Sequence, residues 1–139
     1  MSPSSINDSF HRELASDPDL LESLVEETNA YLAAQLDDED LIYRITLLIS
    51  EAATNAMEHG NRFDVTKQVT IDLAVGADAV TATICDQGGG FVPEAVDDPL
   101  REENLLREGG RGLFLMQRLA DEVAFDSEGR CVHLLVRRK

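Results

Sequence analysis

Two short segments with alternating apolar side chains do most to restrict the fold of this chain. Residues 69–75 place Val, Ile, Leu and Val at every second position, and residues 80–85 repeat this alternation after the turn Gly76-Ala77-Asp78. Successive side chains of a β-strand point to opposite faces, so each segment predicts a strand with one apolar face. The short turn predicts an antiparallel hairpin. Its apolar face requires a second layer to cover it.

Two segments with helical periodicity can form that layer. Asp17 followed by Pro18 is a typical helix start, and apolar residues at helical spacing extend this first helix to Gln35. The acidic cluster 37–40 suits the first turn of a second helix, because carboxylates are stabilised by the helix dipole there. We expect Gly60 to end this helix. Its continuous apolar face consists of Leu41, Ile45, Leu48, Ile49, Ala52 and Ala56.

Further strands and one more helix complete the prediction. A short strand is expected around residues 7–15, a third helix from about Arg111 through Leu119, and a final hairpin over 122–125 and 131–137, with its turn at 126–129. The fold class is therefore α+β, with helices on one face of a mainly antiparallel, mixed sheet in a two-layer sandwich. The length of 139 residues fits a single domain spanning 1–139.

Composition excludes several classes of protein. The 27 Asp and Glu against 12 Lys and Arg give a net charge of −15, which argues against non-specific nucleic-acid binding. A basic protein partner is compatible with this charge, although a solvated acidic surface is the simpler explanation. The first ten residues lack the features of a secretory signal, and no apolar run is long enough to cross a bilayer. These features predict a cytoplasmic protein without a membrane anchor.

The cysteines and histidines indicate no metal site. Cys85 and Cys131 are far apart in the sequence and have no metal-ligand spacing, so we predict buried, reduced thiols rather than a disulfide or a zinc site. His11, His59 and His133 are isolated, and no HExxH motif is present. A metalloenzyme is therefore not expected.

Three motifs carry candidate chemistry, and the first lies on the second helix. Glu51, Asn55 and Glu58 have the spacing i, i+4 and i+7, so they would share one stripe at the edge of the apolar face. A carboxylate and a carboxamide there can serve a reacting group and a bound ion. Taken alone, the stripe is better explained by a solvated helix face.

The second motif, Asp86-Gln87-Gly88-Gly89-Gly90, directly follows a predicted strand. Glycines let a backbone approach a ligand closely, and Asp86 can accept a hydrogen bond from an exocyclic amine such as that of adenine. An ordinary Asx turn is the alternative.

The third motif, Gly109-Gly110-Arg111-Gly112-Leu113, opens the third helix, where backbone N–H groups can bind phosphate. A hinge is the alternative here. Neither glycine motif is a Walker A or a Rossmann sequence. Between the two glycine motifs, the polar stretch 86–110 has the length of a functional lid or a disordered loop.

In this order, the three motifs resemble those of the ATPase superfamily that joins gyrase, histidine kinases and the MutL mismatch-repair proteins. Within it, the chain is most similar to the anti-sigma-factor serine kinases of bacterial partner switching, especially over residues 51–61 and 103–116. The resemblance implies the histidine-kinase-like ATPase (Bergerat) fold, with ATP and Mg²⁺ as cofactors. In the last glycine box, Gly129-Arg130-Cys131, cysteine replaces a threonine that is common in the superfamily.

The same resemblance implies roles for individual residues. Glu51 would act as the general base on a serine or threonine hydroxyl, and Asn55 would hold Mg²⁺ together with the ATP phosphates. Asp86 would bind the adenine amino group, while Gly88 and Gly90 give backbone clearance.

Phosphate contacts are implied for the third motif. Gly110, Gly112 and Leu113 would lie at the phosphates as the lid 91–109 closes. Arg107 or Arg111 would add positive charge at the γ-phosphate, and the sequence does not choose between them.

The function implied is an ATP-dependent serine/threonine protein kinase that binds a sigma factor and phosphorylates an anti-sigma-factor antagonist. One alternative is an ATP-binding interaction module with no catalysis or with a target other than a sigma factor. Another is the catalytic piece of a histidine kinase, but no helical hairpin with a phosphoacceptor histidine precedes the domain. Relatives dimerise through the N-terminal strand, which matches them poorly here, so homodimerisation is less strongly predicted than ATP binding.

Overall fold

The computed structural model describes residues 9–88, 115–126 and 129–138, in which five strands form a single sheet. The strands occur in the spatial order β1-β2-β3-β5-β4, and every pair is antiparallel. Both predicted hairpins are present, and no parallel pair occurs among the described strands. Their bounds are Phe10–Ala15 (β1), Gln68–Val75 (β2), Ala79–Cys85 (β3), Glu122–Phe125 (β4) and Cys131–Arg137 (β5).

Two long helices lie between β1 and β2 in the sequence. Helix α1 spans Leu21–Gln35 and is preceded by a 3₁₀ turn, Pro18–Leu20, so the predicted helix start at Pro18 is a turn of tighter geometry. Helix α2 spans Glu39–Asn55, and its cap is the Asp38 carboxylate, which accepts a hydrogen bond from the Leu41 N–H (3.1 Å). A third helix, α3, is described over 115–119. No helix in these ranges is both long and apolar enough to cross a membrane.

The core lies between the helices and one face of the sheet. Burial alternates along β2, β3 and β5, as the sequence pattern predicted. The opposite face of the sheet carries polar residues, including Thr83, whose hydroxyl is hydrogen-bonded to His133 (3.1 Å). The two-layer α+β sandwich is thus confirmed. Its largest fully buried side chains include Leu24 and Leu32 from α1, Ile45, Leu48 and Ile49 from α2, and Ile71, Leu73 and Ile84 from the sheet.

The prediction of two separate, reduced cysteines is wrong. Cys85 and Cys131 lie directly opposite each other on β3 and β5, with Cα atoms 4.0 Å apart, and are joined by a disulfide. Both are partly exposed, on the sheet face that the helices do not cover. A separation of 46 residues gives no sign of pairing in the sequence, because the pairing follows from the sheet order, which brings β5 next to β3.

Candidate nucleotide-binding site

The predicted catalytic and metal-binding residues lie in the last turns of α2. Glu51 and Asn55 are four residues apart on one side of the helix, and both are partly exposed. Their neighbours Ala52 and Ala53 are fully buried, and such small side chains allow the helix to approach the layer beneath it. Glu51 and Asn55 are therefore held at the border between the core and the solvent.

The third member of the predicted stripe, Glu58, lies beyond the end of the α-helix. The α-helical pattern ends at Asn55 and gives way to a five-residue π turn, Ala56–Gly60. A π turn is wider than an α-helical turn, so the spacing i, i+7 does not by itself align Glu58 with Glu51. Glu58 is partly exposed, as Glu51 and Asn55 are, and lies 3.5 Å from the ring of His59.

The π turn is closed by backbone hydrogen bonds. The N–H of Asn61 donates to the carbonyl of Ala56 (2.9 Å), an i to i−5 bond. One turn earlier, the Thr54 hydroxyl donates to the Ser50 carbonyl (2.7 Å), a contact that bends helices. Single π turns inside helices are found frequently at functional sites.

Gly60 is important because its lack of a side chain leaves space for the Asp86 carboxylate. The prediction that Gly60 ends the helical segment is correct in position, but among the described glycines only Gly129 has a positive φ. A Cβ atom on Gly60 would overlap the carboxylate of Asp86, and a Cβ atom on Gly88 would overlap the carbonyl oxygen of Gly60. The end of the α2 segment and the first glycine motif are therefore in direct backbone contact, which only glycine permits.

Asp86 is held in a defined orientation at this contact. Its N–H donates to the carbonyl of Arg130 (2.9 Å), and its Oδ1 accepts from the N–H of Gly88 (2.9 Å). Its other carboxylate oxygen, Oδ2, accepts no hydrogen bond from any described residue. Asp86 thus presents an acceptor that remains available to a ligand donor.

The surroundings of Asp86 favour its neutral form. Burial raises the pKa of the carboxyl above its ordinary value, and the charge of Asp126 acts in the same direction. The Gly88 hydrogen bond and the positive charges of Arg130 and Lys67 lower this pKa, but their effect is smaller. A half-buried carboxylate of this kind gains from a hydrogen-bond donor supplied by a ligand.

Two residues that the sequence analysis did not assign to the site hold this loop. The buried carboxamide of Asn61 accepts from the N–H of Gln87 through Oδ1 (2.8 Å). The guanidinium of Arg130 donates from Nε to the carbonyl of Gly88 (2.9 Å). The only sequence signals were that Asn61 ends the similar segment 51–61 and that Arg130 lies in the last glycine box, and neither assigned a role to these two residues.

The remaining predicted site residues lie outside the described part of the chain. They are Gly90, Arg107, Gly110, Arg111, Gly112 and Leu113, together with the predicted lid 91–109. The chain re-enters the described structure in α3, where Met116 is fully buried and the Leu119 carbonyl accepts from Arg44 Nε of α2 (2.6 Å). Helix α3 is therefore tied to α2 by this hydrogen bond.

A family model described as the histidine kinase-like ATPase domain matches residues 14–136. The chain therefore belongs to the histidine kinase-like ATPase family, and the family predicted from the three motifs is confirmed. Membership of an ATPase family implies that ATP is the ligand of this domain.

Similar proteins include two kinds of bacterial regulator. The chain is 34% identical to the anti-sigma F factor of Geobacillus stearothermophilus over 110 residues, which cover 77% of this chain and 75% of that protein. It is also 34% identical to the serine-protein kinase RsbW of Bacillus subtilis (strain 168) over 90 residues, or 60% of this chain. The match spans only 56% of that kinase.

The described residues fit ATP. The half-buried Asp86 carboxylate has a free acceptor that suits an adenine amino group. Gly60 and Gly88 contact each other so closely that neither position has room for a side chain that could cover this carboxylate. The amide oxygen of Asn55, which is partly exposed, is a suitable ligand for Mg²⁺, which prefers oxygen. Among the described residues, no three His, Cys, Asp or Glu side chains converge to hold a metal ion by themselves. Magnesium would therefore depend on ligands from the nucleotide.

Proposed function

We propose that this protein is an ATP-dependent serine/threonine kinase of a bacterial partner-switching system. In this proposal it binds a sigma factor and phosphorylates an anti-sigma-factor antagonist in the cytoplasm. The observation that carries the proposal is the contact of Asp86 and Gly88 with Gly60, because it joins the adenine-binding motif to the end of the helix with Glu51 and Asn55. The names of the similar proteins support the kinase activity and the sigma-factor partner.

Adenine recognition is assigned to Asp86. The carboxylate is fixed by the Gly88 N–H on one oxygen, so the other oxygen can accept the hydrogen bond of the C6 amino group. A guanine base carries a carbonyl at C6, so its oxygen and the Asp86 carboxylate would be two hydrogen-bond acceptors facing each other. The site therefore favours ATP over GTP.

Phosphoryl transfer is assigned to the end of α2. The Asn55 amide oxygen would bind a magnesium ion that is shared with the phosphates, and this ion would neutralise their charge when bound. Glu51 lies one turn before Asn55 on the same side of the helix. There its carboxylate would take the proton from a substrate hydroxyl, or orient that hydroxyl for attack in line with the leaving group.

The second glycine motif completes the proposed site. Gly110, Gly112 and Leu113 would present backbone N–H groups to the phosphates, Gly90 would give clearance in the adenine loop, and Arg107 or Arg111 would contact the γ-phosphate. These assignments rest on the resemblance of the sequence to the kinase family.

Homodimerisation is a separate part of the proposal. Among the described strands, β1 pairs with β2 alone and forms one edge of the sheet. An edge strand leaves a row of backbone groups to which a second copy can add. We expect analytical ultracentrifugation to detect a concentration-dependent dimer. A monomer at every concentration would contradict the dimer and leave the kinase assignment intact.

The kinase assignment can be tested with purified proteins. The protein would be mixed with Mg²⁺, radiolabelled ATP and candidate antagonist proteins from the same genome. We expect phosphoserine or phosphothreonine on one antagonist, and none with Glu51→Gln. Exposed Glu22 lies on α1, so Glu22→Gln is the matched control and should be fully active.

The same experiment separates the alternatives. Label on the protein itself at a histidine would indicate a histidine kinase. Binding of ATP and of a partner without transfer to any antagonist would indicate an interaction module. If neither the parent protein nor Asp86→Asn bound Mg²⁺-ATP in calorimetry, the whole proposal would be wrong.

A further inference from the structure

We infer that Asn61 is a positioning residue that sets the selectivity of the site for adenine, by fixing the backbone that carries Asp86. This inference rests on the proposed role of Asp86 and adds a residue to it. Asn61 is 1% exposed, and both ends of its carboxamide are hydrogen-bonded.

The backbone of Asp86 is held on both sides. On the N-terminal side of its Cα atom, the Asp86 N–H donates to the carbonyl of Arg130 (2.9 Å). On the C-terminal side, the N–H of Gln87 donates to Oδ1 of Asn61 (2.8 Å). The two hydrogen bonds fix the peptide groups that flank the Asp86 Cα atom, and they therefore determine where its carboxylate points.

Gln87 closes a small ring of hydrogen bonds around this point. Its Oε1 accepts from the N–H of Gln68 (2.6 Å), while the carbonyl of Gln68 accepts from Nδ2 of Asn61 (3.0 Å). Both backbone groups of Gln68, the first residue of β2, are thus used to restrain the Asp86 loop. The restraint is transmitted through Asn61, since its carboxamide contacts both Gln68 and Gln87.

A purely structural role explains only part of these contacts. The Nδ2 group also donates to Oγ of Ser16 (2.7 Å), which holds the corner after β1 against β2. The bond from Oδ1 to Gln87 does nothing for that corner, because it acts on the residue that follows Asp86. Ser16→Ala therefore removes the corner contact and keeps the contact to the loop.

The test compares ATP with the triphosphate of purine riboside, which lacks the C6 amino group. Calorimetry in the presence of Mg²⁺ gives the ratio of the two dissociation constants for the parent, Asn61→Ala, Gln87→Ala and Ser16→Ala. We expect the parent to prefer ATP, and we expect this ratio of dissociation constants to fall about tenfold in Asn61→Ala. A fall of this size corresponds to the loss of one well-oriented hydrogen bond between Asp86 and the C6 amino group. Gln87→Ala should change the ratio in the same direction by less, since only its side-chain contact is lost.

Ser16→Ala is the matched control, because it alters the same buried cluster. It should lower the melting temperature and leave the preference for ATP unchanged. A destabilised fold alone would affect both nucleotides alike and would not change their ratio.

The outcomes distinguish this inference from the function on which it rests. If the parent prefers ATP, while Asn61→Ala and Gln87→Ala keep the same ratio, the inference is overturned and the kinase proposal stands. If the parent does not distinguish the two nucleotides, the adenine-binding role of Asp86 and this inference are both overturned. Gln87 is exposed, so Gln87→Ala tests the ring of hydrogen bonds in which Asn61 takes part even if Asn61→Ala does not fold, and an unchanged ratio in this variant would overturn the inference.

Discussion

The two ends of helix α2 are stabilised by different interactions. Residues 39–49 begin with a side-chain cap and bury Leu41, Ile45, Leu48 and Ile49 in the core. Residues 55–61 bury one large apolar side chain, Met57, change to a π turn and end at Asn61, whose carboxamide makes three hydrogen bonds. The first end is held by apolar burial, and the second by one buried apolar side chain together with directional polar contacts.

This difference separates stability from recognition within one helix. Apolar burial is proportional to area and depends little on direction, so it stabilises the helix without fixing any side chain to the accuracy that a ligand needs. Hydrogen bonds have narrow distance and angle requirements, so they can hold Asp86 in place. We expect substitutions at the first end to change the free energy of unfolding, and those at the second end to change nucleotide binding.

The largest expected effect is that of Leu48→Ala at the first end. Leu48 is 1% exposed, and its truncation should lower the free energy of unfolding by about 2–5 kcal/mol, measured by urea denaturation. The dissociation constant for Mg²⁺-ATP, corrected for the folded fraction, should remain that of the parent. A loss of affinity beyond this correction would show that the two ends are not separable.

Gly88→Ala should have the opposite signature. The added Cβ atom meets the backbone of Gly60, which cannot rotate away, and overpacking of this kind costs about 1–3 kcal/mol. We expect calorimetry to show ATP affinity reduced by about tenfold, because a distortion of about 1.4 kcal/mol at the loop that carries Asp86 is enough for this.

Gly76→Ala is the matched control for this substitution. The nearest atom to its added Cβ is the Ala79 carbonyl oxygen at 3.1 Å, in the β2–β3 turn. Its effect on ATP affinity should be negligible. Equal losses in both variants would contradict the local role of Gly88.

A smaller effect is expected from Asp38→Ala, which removes the cap of α2. The loss of the hydrogen bond to the Leu41 N–H should lower the free energy of unfolding by about 1 kcal/mol in chemical denaturation. ATP affinity should again be unchanged. Asp38→Asn keeps an acceptor and should restore most of the stability, whereas equal losses in both would show that the cap is unimportant.

The smallest effect should be the pH dependence contributed by Asp86. Because the pKa of Asp86 is raised in the folded protein, its charged form reduces stability at neutral pH, and this cost disappears as the pH falls below its unfolded pKa. Asp86→Asn should therefore raise the melting temperature of the nucleotide-free protein at pH 7, with the difference shrinking toward pH 3. A difference that does not change with pH would contradict this assignment.

The first end of α2 was predictable from the sequence, whereas at the second end the stop at Gly60 was predicted and the π turn before it was not. The spacing of apolar residues from Leu41 to Ala52 gives the helix and its buried face, and the alternation along 69–85 gives the hairpin. A change from α to π geometry leaves no mark on this spacing. For the same reason, the sequence did not show that Glu58 lies in a turn of different geometry from Glu51.

Part of the candidate site was also predicted. Asp86 and Gly88 were identified from a motif, and the structure brings them to Gly60. The contributions of Asn61 and Arg130 depend on which strands are neighbours and where their ends meet. That is a property of the sheet order, and short-range sequence patterns do not contain it.

The disulfide between Cys85 and Cys131 limits how β3 and β5 can slide along each other. Asp86 follows one cysteine, and Arg130 precedes the other. A slip by one residue would turn each side chain to the other side of the sheet and separate Asp86 from the carbonyl that holds it. When it is formed, the covalent link excludes such misaligned pairings, so the loop that begins at Asp86 starts from the same point of the sheet.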